Sequence, residues 1–240
     1  MRRVASRSLV VSPRPEGTAA CRRRLVRPDP GFTLIELVVA IAVVAAVILI
    51  VATRLDRWRD IEAARSAARS VEGAFSYARS EATRTGNHHI LFFRTDIAGN
   101  PLSDVDGNRV PILILDDGRP GSAGQNCAID AGEAFEVVRL ERGVAFGATA
   151  ATAAAPLDQG AAAFAGGSSF TDTGGADADW VLFRPDGMPR SVDAACAVGP
   201  LGSGGGGVYL SNAERDVAVV LTPLGAAKVF AWNSETVSWH

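Results

Sequence analysis

Three patterns of apolar and polar residues follow one another along this chain. The first is a run of 16 residues, Leu37 to Ala52, without a polar side chain. Extended to Phe32–Thr53 it carries a single charge, Glu36. At about 1.5 Å per residue, a helix of that length crosses a hydrocarbon layer of ~30 Å. The second pattern is a helical stripe. Ile61, Ala64, Ala68, Val71, Phe75, Ala78 and Ala82 recur at intervals of three and four, while Arg65, Arg69, Glu72, Arg79 and Arg84 occupy other faces. Gly86-Asn87 supplies a stop signal. Together the two patterns predict one helix of roughly 50 residues and ~75–80 Å, its outer half packed on a sheet through a stripe of mostly Ala.

The third pattern has the period and punctuation of strands. His88-His89-Ile90-Leu91-Phe92-Phe93 reads as the first, Val110 to Leu115 and Phe135 to Leu140 as the next, and Gly143 to Phe146 as the start of another, each bounded by Gly, Pro or Asp. Residues 147–179 are rich in Ala, Gly, Ser and Thr. Their apolar bulk is too small for a core element, so an exposed and mobile loop is expected there. Trp180 to Phe183 is a further strand, ended by Pro185-Asp186-Gly187. Gly204 to Gly207 is expected to be a flexible joint ahead of Val208-Tyr209-Leu210. Val217 to Thr222 and Lys228 to Trp232 flank Pro223-Leu224-Gly225 as a hairpin.

Charge orients these elements. The formal net charge of -2 conceals a split at Gly31: eight Arg against Glu16 and Asp29 before it, and an excess of eight acidic groups after it. The Arg-rich end belongs in the cytoplasm by the positive-inside rule, which places everything after Thr53 outside. An acidic body with Lys228 as its one Lys argues against nucleic-acid binding. The residues after the apolar run, Val51-Ala52-Thr53-Arg54-Leu55-Asp56, make a poor signal peptidase site, so the run stays in the mature protein. Within it Glu36 costs a few kcal/mol on insertion scales. It is kept for a partner, or it sits at the interface and snorkels.

Gly31-Phe32-Thr33-Leu34-Ile35-Glu36-Leu37 with the apolar run behind it resembles the type IV prepilin signal motif. The resemblance implies that a prepilin peptidase cuts between Gly31 and Phe32 and that the new amino group of Phe32 is methylated. It implies a single-pass inner-membrane anchor, a periplasmic globular domain, and partners among other pilins and an inner-membrane assembly platform. In that family the carboxylate at the position of Glu36 pairs with the terminal amine of a neighbouring subunit. The physics agrees, since an ammonium and a carboxylate desolvated together cost less than either alone. The leader is long for the family, and Asp29-Pro30 stands where a basic residue is usual. Phe183-Arg184-Pro185-Asp186-Gly187, Val217 to Thr222 with Gly225, and Ala78-Arg79-Ser80-Glu81-Ala82 are similar to the general secretion pathway protein H and FimT/FimU minor pilin group. That similarity implies an α+β fold, a long N-terminal helix docked on an antiparallel β-sandwich. The expected organisation is a leader over 1–31, a transmembrane segment over 32–53, an amphipathic helix over 54–86 and a β-rich domain over 87–240.

Cleavage at Gly31 would remove Cys21 and leave Cys127 and Cys196, an even pair that forms a disulfide in an oxidising compartment or remains as two small buried thiols. The residues offer little chemistry. Neighbouring His88 and His89 point to opposite sides of a strand and do not readily share a metal. No H-E-x-x-H, G-x-S-x-G or Cys-His cluster occurs. Asp104-Val105-Asp106-Gly107-Asn108, with Asp116-Asp117 nearby, departs from the EF-hand spacing. Gly204 to Gly207 lack the Lys and helix of a phosphate loop. No catalytic residue, cofactor or metal is expected. The expected function is assembly, as a minor pseudopilin of a type II secretion system that initiates or caps the pseudopilus. The alternative is a minor type IV pilin of motility, adhesion or DNA uptake. Phe230 to His240 carries neither Lys nor Arg, which weighs against DNA uptake.

Overall fold

The computed structural model describes residues 31–240 except 123, 131 and 213, and it leaves out the side chains of residues 50, 52, 53, 56 and 161–163. The leader expected over 1–31 lies outside the described residues apart from Gly31. The chain divides into two units at Val47/Ile48. One helix, α1 (Leu34–Thr85, 52 residues), contributes to both. In the first unit every described side chain, from Gly31 to Val47, is exposed. Among the described residues no helix is long and apolar enough to cross a membrane. Described apolar side chains run without a break only to Leu49, because Ile50, Ala52 and Thr53 are among those left out.

In the second unit α1 buries Ala64, Ala67, Ala68, Val71, Ala74, Phe75, Ala78 and Ala82. Small side chains let the helix backbone come close to its neighbours, and Phe75 supplies the bulk. Two five-stranded antiparallel sheets meet it. The first has strand order β3-β2-β1-β7-β8, built from β1 (His89–Phe93), β2 (Ile112–Asp116), β3 (Phe135–Val138), β7 (Trp180–Phe183) and β8 (Pro189–Arg190). The second has order β12-β11-β10-β9-β4, built from β4 (Ala145–Phe146), β9 (Gly206–Ser211), β10 (Asp216–Leu221), β11 (Ala227–Asn233) and β12 (Ser238–Trp239). A small pair, β5 (Phe170–Thr171) and β6 (Asp177–Ala178), stands apart. This is the α+β class the motifs imply.

Side-chain alternation sorts the strands into cores. Leu91 and Phe93 of β1, Ile112 and Ile114 of β2, and Val208, Leu210, Val217, Val219 and Leu221 of the second sheet join the helix stripe in one cluster. The opposite faces are also covered. Ile90, Phe92, Leu113, Leu115 and Leu182 pack with Leu102, Val110, Cys127 and Val192. Tyr209, Ala218 and Val220 pack with Ala155. Strand β1 therefore has no solvent face, and all five of its residues are buried.

Two expectations fail here for one reason. Residues 147–179 do supply core: Phe170 is buried, stacked on Phe93 at 5.6 Å between ring centroids and edge-on to Phe75 at 6.1 Å. Ala155, Ser168, Ser169 and Ala178 are buried as well. Gly204 to Gly207 are buried and end in β9 instead of forming a joint. A Cβ on Gly206 would lie 2.6 Å from the Phe170 ring, and one on Gly204 would lie 2.3 Å from the backbone at Pro189-Arg190. The glycines admit close approach of neighbouring groups: Pro189-Arg190 at Gly204, and at Gly206 Phe170 from the 147–179 segment. Polar groups pin it. Thr149, Ala150 and Ala151 donate their backbone N–H groups to Asp216, at 2.7–2.9 Å, and the Thr149 hydroxyl adds a fourth bond. Tyr209 and Ser169 both donate to Asp158, at 2.5 and 2.7 Å.

Candidate assembly site

The residues of the cleavage motif form the start of α1. Thr33 precedes the first helical residue, and the backbone N–H of Glu36 donates to its Oγ1 at 3.3 Å while that of Leu37 donates to its carbonyl at 3.2 Å. This is an N-cap, and Thr33-x-x-Glu36 is the capping-box spacing. The Thr33-to-Glu36 spacing lies within the signal motif itself. It places Glu36 in the first turn, where the partial positive charge of the helix end favours a carboxylate. Phe32 is 86% exposed and Leu34, Ile35 and Leu37 are more than half exposed. Cleavage after Gly31 would set a new amino group one residue before the cap. The carboxylate of Glu36 and that amine would then share a helix end open to a neighbour.

The three other sequence motifs, far apart in the chain, meet at the far end of α1. Arg79 donates from Nη1 to the carbonyl of Gly225 at 3.0 Å. Gly225 and Gly187 both have positive φ, 79° and 72°, which a non-glycine residue adopts only with strain. A Cβ on Gly225 would come within 3.1 Å of the Gly187 carbonyl, and one on Gly187 within 3.1 Å of Thr83. The Pro185-Asp186-Gly187 turn, the β10–β11 turn and the helix end therefore lock together, and Arg79, placed off the apolar face by its periodicity, is the residue that joins them.

His88 and His89 are both buried, and neither ring nitrogen of His88 nor Nδ1 of His89 has a hydrogen-bond partner. His89 Nε2 lies 3.9 Å from Asp116. Burial lowers both pKa values; Arg184 adds to the effect at His88, and Asp116 opposes it at His89. Asp104 is engaged by its own turn, accepting from the N–H groups of Asp106 and Asn108, and by Arg139 at 2.9 Å.

Cys127 and Cys196 are joined in a disulfide with Cα atoms 5.5 Å apart. Beside it lies Asp117, fully buried. Its Oδ1 accepts from the N–H of Cys127 at 2.8 Å and of Asn126 at 3.2 Å, and its Oδ2 is 3.8 Å from each sulfur. Burial pushes its carboxyl up to about 6, with Glu133 and Asp116 acting in the same sense and the two N–H bonds against it. These three residues hold potential ligand atoms within 4.8 Å of one another, but both sulfurs are engaged in the disulfide. No sequence signal links Asp117 to cysteines 10 and 79 residues away; the fold alone makes the group.

Residues 27–52 match the family model of the prokaryotic N-terminal methylation motif. No curated protein and no solved structure matches the chain. The matched window contains Gly31, Phe32 and Glu36, and it supports a type IV pilin-like protein, processed by a prepilin peptidase and assembled with other pilins.

Proposed function

We propose that the mature chain begins at Phe32, is anchored in the inner membrane by the apolar half of α1, and is a minor pseudopilin of a type II secretion system that helps to initiate or cap the pseudopilus. The observation that carries this reading is the start of α1: an N-capped helix with Glu36 in its first turn and exposed apolar side chains from Leu34 to Leu49, inside a methylation motif. Such a surface needs a cover of lipid or of like helices. Because lipid solvates apolar helices as well as protein does, association rests on packing and on polar pairs, and Glu36 with a neighbour's terminal amine is the pair available. The second unit packs three apolar cores and leaves exposed turns, with Val105, Leu201 and Leu224 among their residues, for contact with other subunits.

Intact-mass analysis of the membrane-extracted protein should find a chain starting at N-methylated Phe32; any other start overturns the cleavage assignment. Replacing Glu36 by Ala should leave the protein in the membrane and remove most of it from sheared fibres. Normal incorporation would refute the pairing. The group that Arg79, Gly187, Gly225 and their neighbours resemble holds secretion and pilus subunits alike, so a genetic test separates the two machines. Deleting the gene should stop protein export with surface motility intact. Lost motility with intact export would make the chain a minor type IV pilin instead.

A further inference from the structure

We propose that Asp117 is the proton-transfer group for thiol–disulfide exchange at Cys127–Cys196, so that this bond is a centre able to open and close and not an inert cross-link. The geometry points to it through the two oxygens of one carboxyl. Oδ1 is satisfied by the two backbone N–H groups. Oδ2 faces the two sulfurs at 3.8 Å each, and in the oxidised bond neither sulfur carries a hydrogen to donate. In the reduced pair each thiol can donate to that oxygen. The carboxyl thus has a place for a proton in the oxidised state and an acceptor for a thiol in the reduced state.

Exposure sets the direction of the step. Cys127 is fully buried, whereas Cys196 is half-buried in a turn that bridges Val192 to Val198. A thiolate of an external dithiol therefore attacks Cys196 Sγ. The S–S bond breaks, its electron pair passes to Cys127 Sγ, and the proton on Asp117 Oδ2 moves to that sulfur. The second thiol of the dithiol then attacks its own partner sulfur and releases Cys196 as a thiolate, which is protonated by solvent. The dithiol is oxidised by two electrons and the protein disulfide is reduced by two. Oxidation by an external disulfide runs in reverse: the Asp117 carboxylate takes the proton from Cys127, and the thiolate formed attacks the mixed disulfide at Cys196. The groups that face this carboxyl are Glu133 and Asp116. Asp193, in the Cys196 turn, is held by the N–H groups of Ala195 and Ala197 and by Thr173. All are acidic, and the charges of Glu133 and Asp116 favour the protonated form of Asp117. The pKa of about 6 at Asp117 suits a group that both gives and takes a proton near neutral pH.

The test uses the full chain in detergent micelles, reduced with dithiothreitol, freed of it, and reoxidised with glutathione disulfide. Closure of the mixed disulfide is followed by alkylation and mass spectrometry. Asp117→Asn keeps an oxygen for the two backbone N–H groups and removes the titrating proton. It should slow closure by roughly tenfold or more and remove the inflection near pH 6. Equal rates and equal pH profiles in the two proteins would overturn the proposal and leave Asp117 a purely structural acceptor. Should the Asn variant fail to fold, the profile of the unmodified chain decides: an inflection near pH 6 supports the assignment, and a rate that simply tracks thiol ionisation defeats it.

Discussion

At the scale of single residues, burial displaces the titration of several ionisable groups in the body of this protein. Burial lowers the pKa values of His88 and His89 and so favours their neutral forms. A folded pKa below the unfolded value of about 6.5 means that their contribution is fully present above ~6.5 and is lost as pH falls through the folded values. Asp117 acts in the opposite sense. Its folded pKa of about 6 exceeds its unfolded one, so its contribution is present below ~4 and lost as pH rises through 6. The two effects overlap, and a difference measurement separates them. A His88→Phe chain should lose less stability than the parent between about pH 6.5 and 5, measured by urea unfolding at each pH. Parallel curves would show that His88 is not a source of acid lability. None of this was legible beforehand. The His pair could be placed on a strand, but burial on both faces depends on segments that close over it from elsewhere in the chain.

Among the elements, the helix was the most readable and the glycine-rich strand the least. A period near 3.6 is written locally, so Ala64, Ala68, Val71, Phe75, Ala78 and Ala82 were found from spacing alone. Ala67 and Ala74 were missed because strands of both sheets contribute to the helix core and widen the buried face beyond one stripe. The Gly204–Gly207 run was misread because its glycines admit groups distant in sequence, Phe170 at Gly206 and the Pro189-Arg190 backbone at Gly204. Gly206→Ala tests that account. Its new Cβ would meet a ring already held by Phe75 and Phe93, and overpacking of this kind costs about 1–3 kcal/mol. Gly73→Ala is the control. It lies exposed in α1 with nothing within 4 Å of the added Cβ, and it should stabilise by about 0.5–1 kcal/mol. Thermal unfolding of the two variants reads both signs. If Gly206→Ala were neutral, Phe170 would not be a fixed part of the core.

On the scale of the whole molecule, the second unit is tied by contacts of long sequence separation: Arg79 to Gly225, Asp216 to residues 149–151, and Cys127 to Cys196 across 69 residues. The disulfide restrains the unfolded chain by roughly 3–5 kcal/mol in the loop-entropy account. Replacing both cysteines by Ser should lower unfolding stability by about that amount, read from urea titration with and without reductant; reductant should then no longer affect the variant. An unchanged midpoint would mean that the native packing already provides what the bond adds. The N-terminal signal was open to reading because it is contiguous. The cores were not, because each draws on several separate stretches of chain.

The strand with no solvent face, β1, has a consequence for how such a sequence can drift. A strand with one wet face accepts change at every second position, and its homologues scatter there freely. Here His89, Ile90, Leu91, Phe92 and Phe93 are all enclosed, so no position in the strand is neutral. Variation must accumulate instead in the exposed turns, such as those at 98–100 and 105–109. The inner strand therefore admits only changes that keep its volume and polarity, while the subunit's contacts can be rewritten around it.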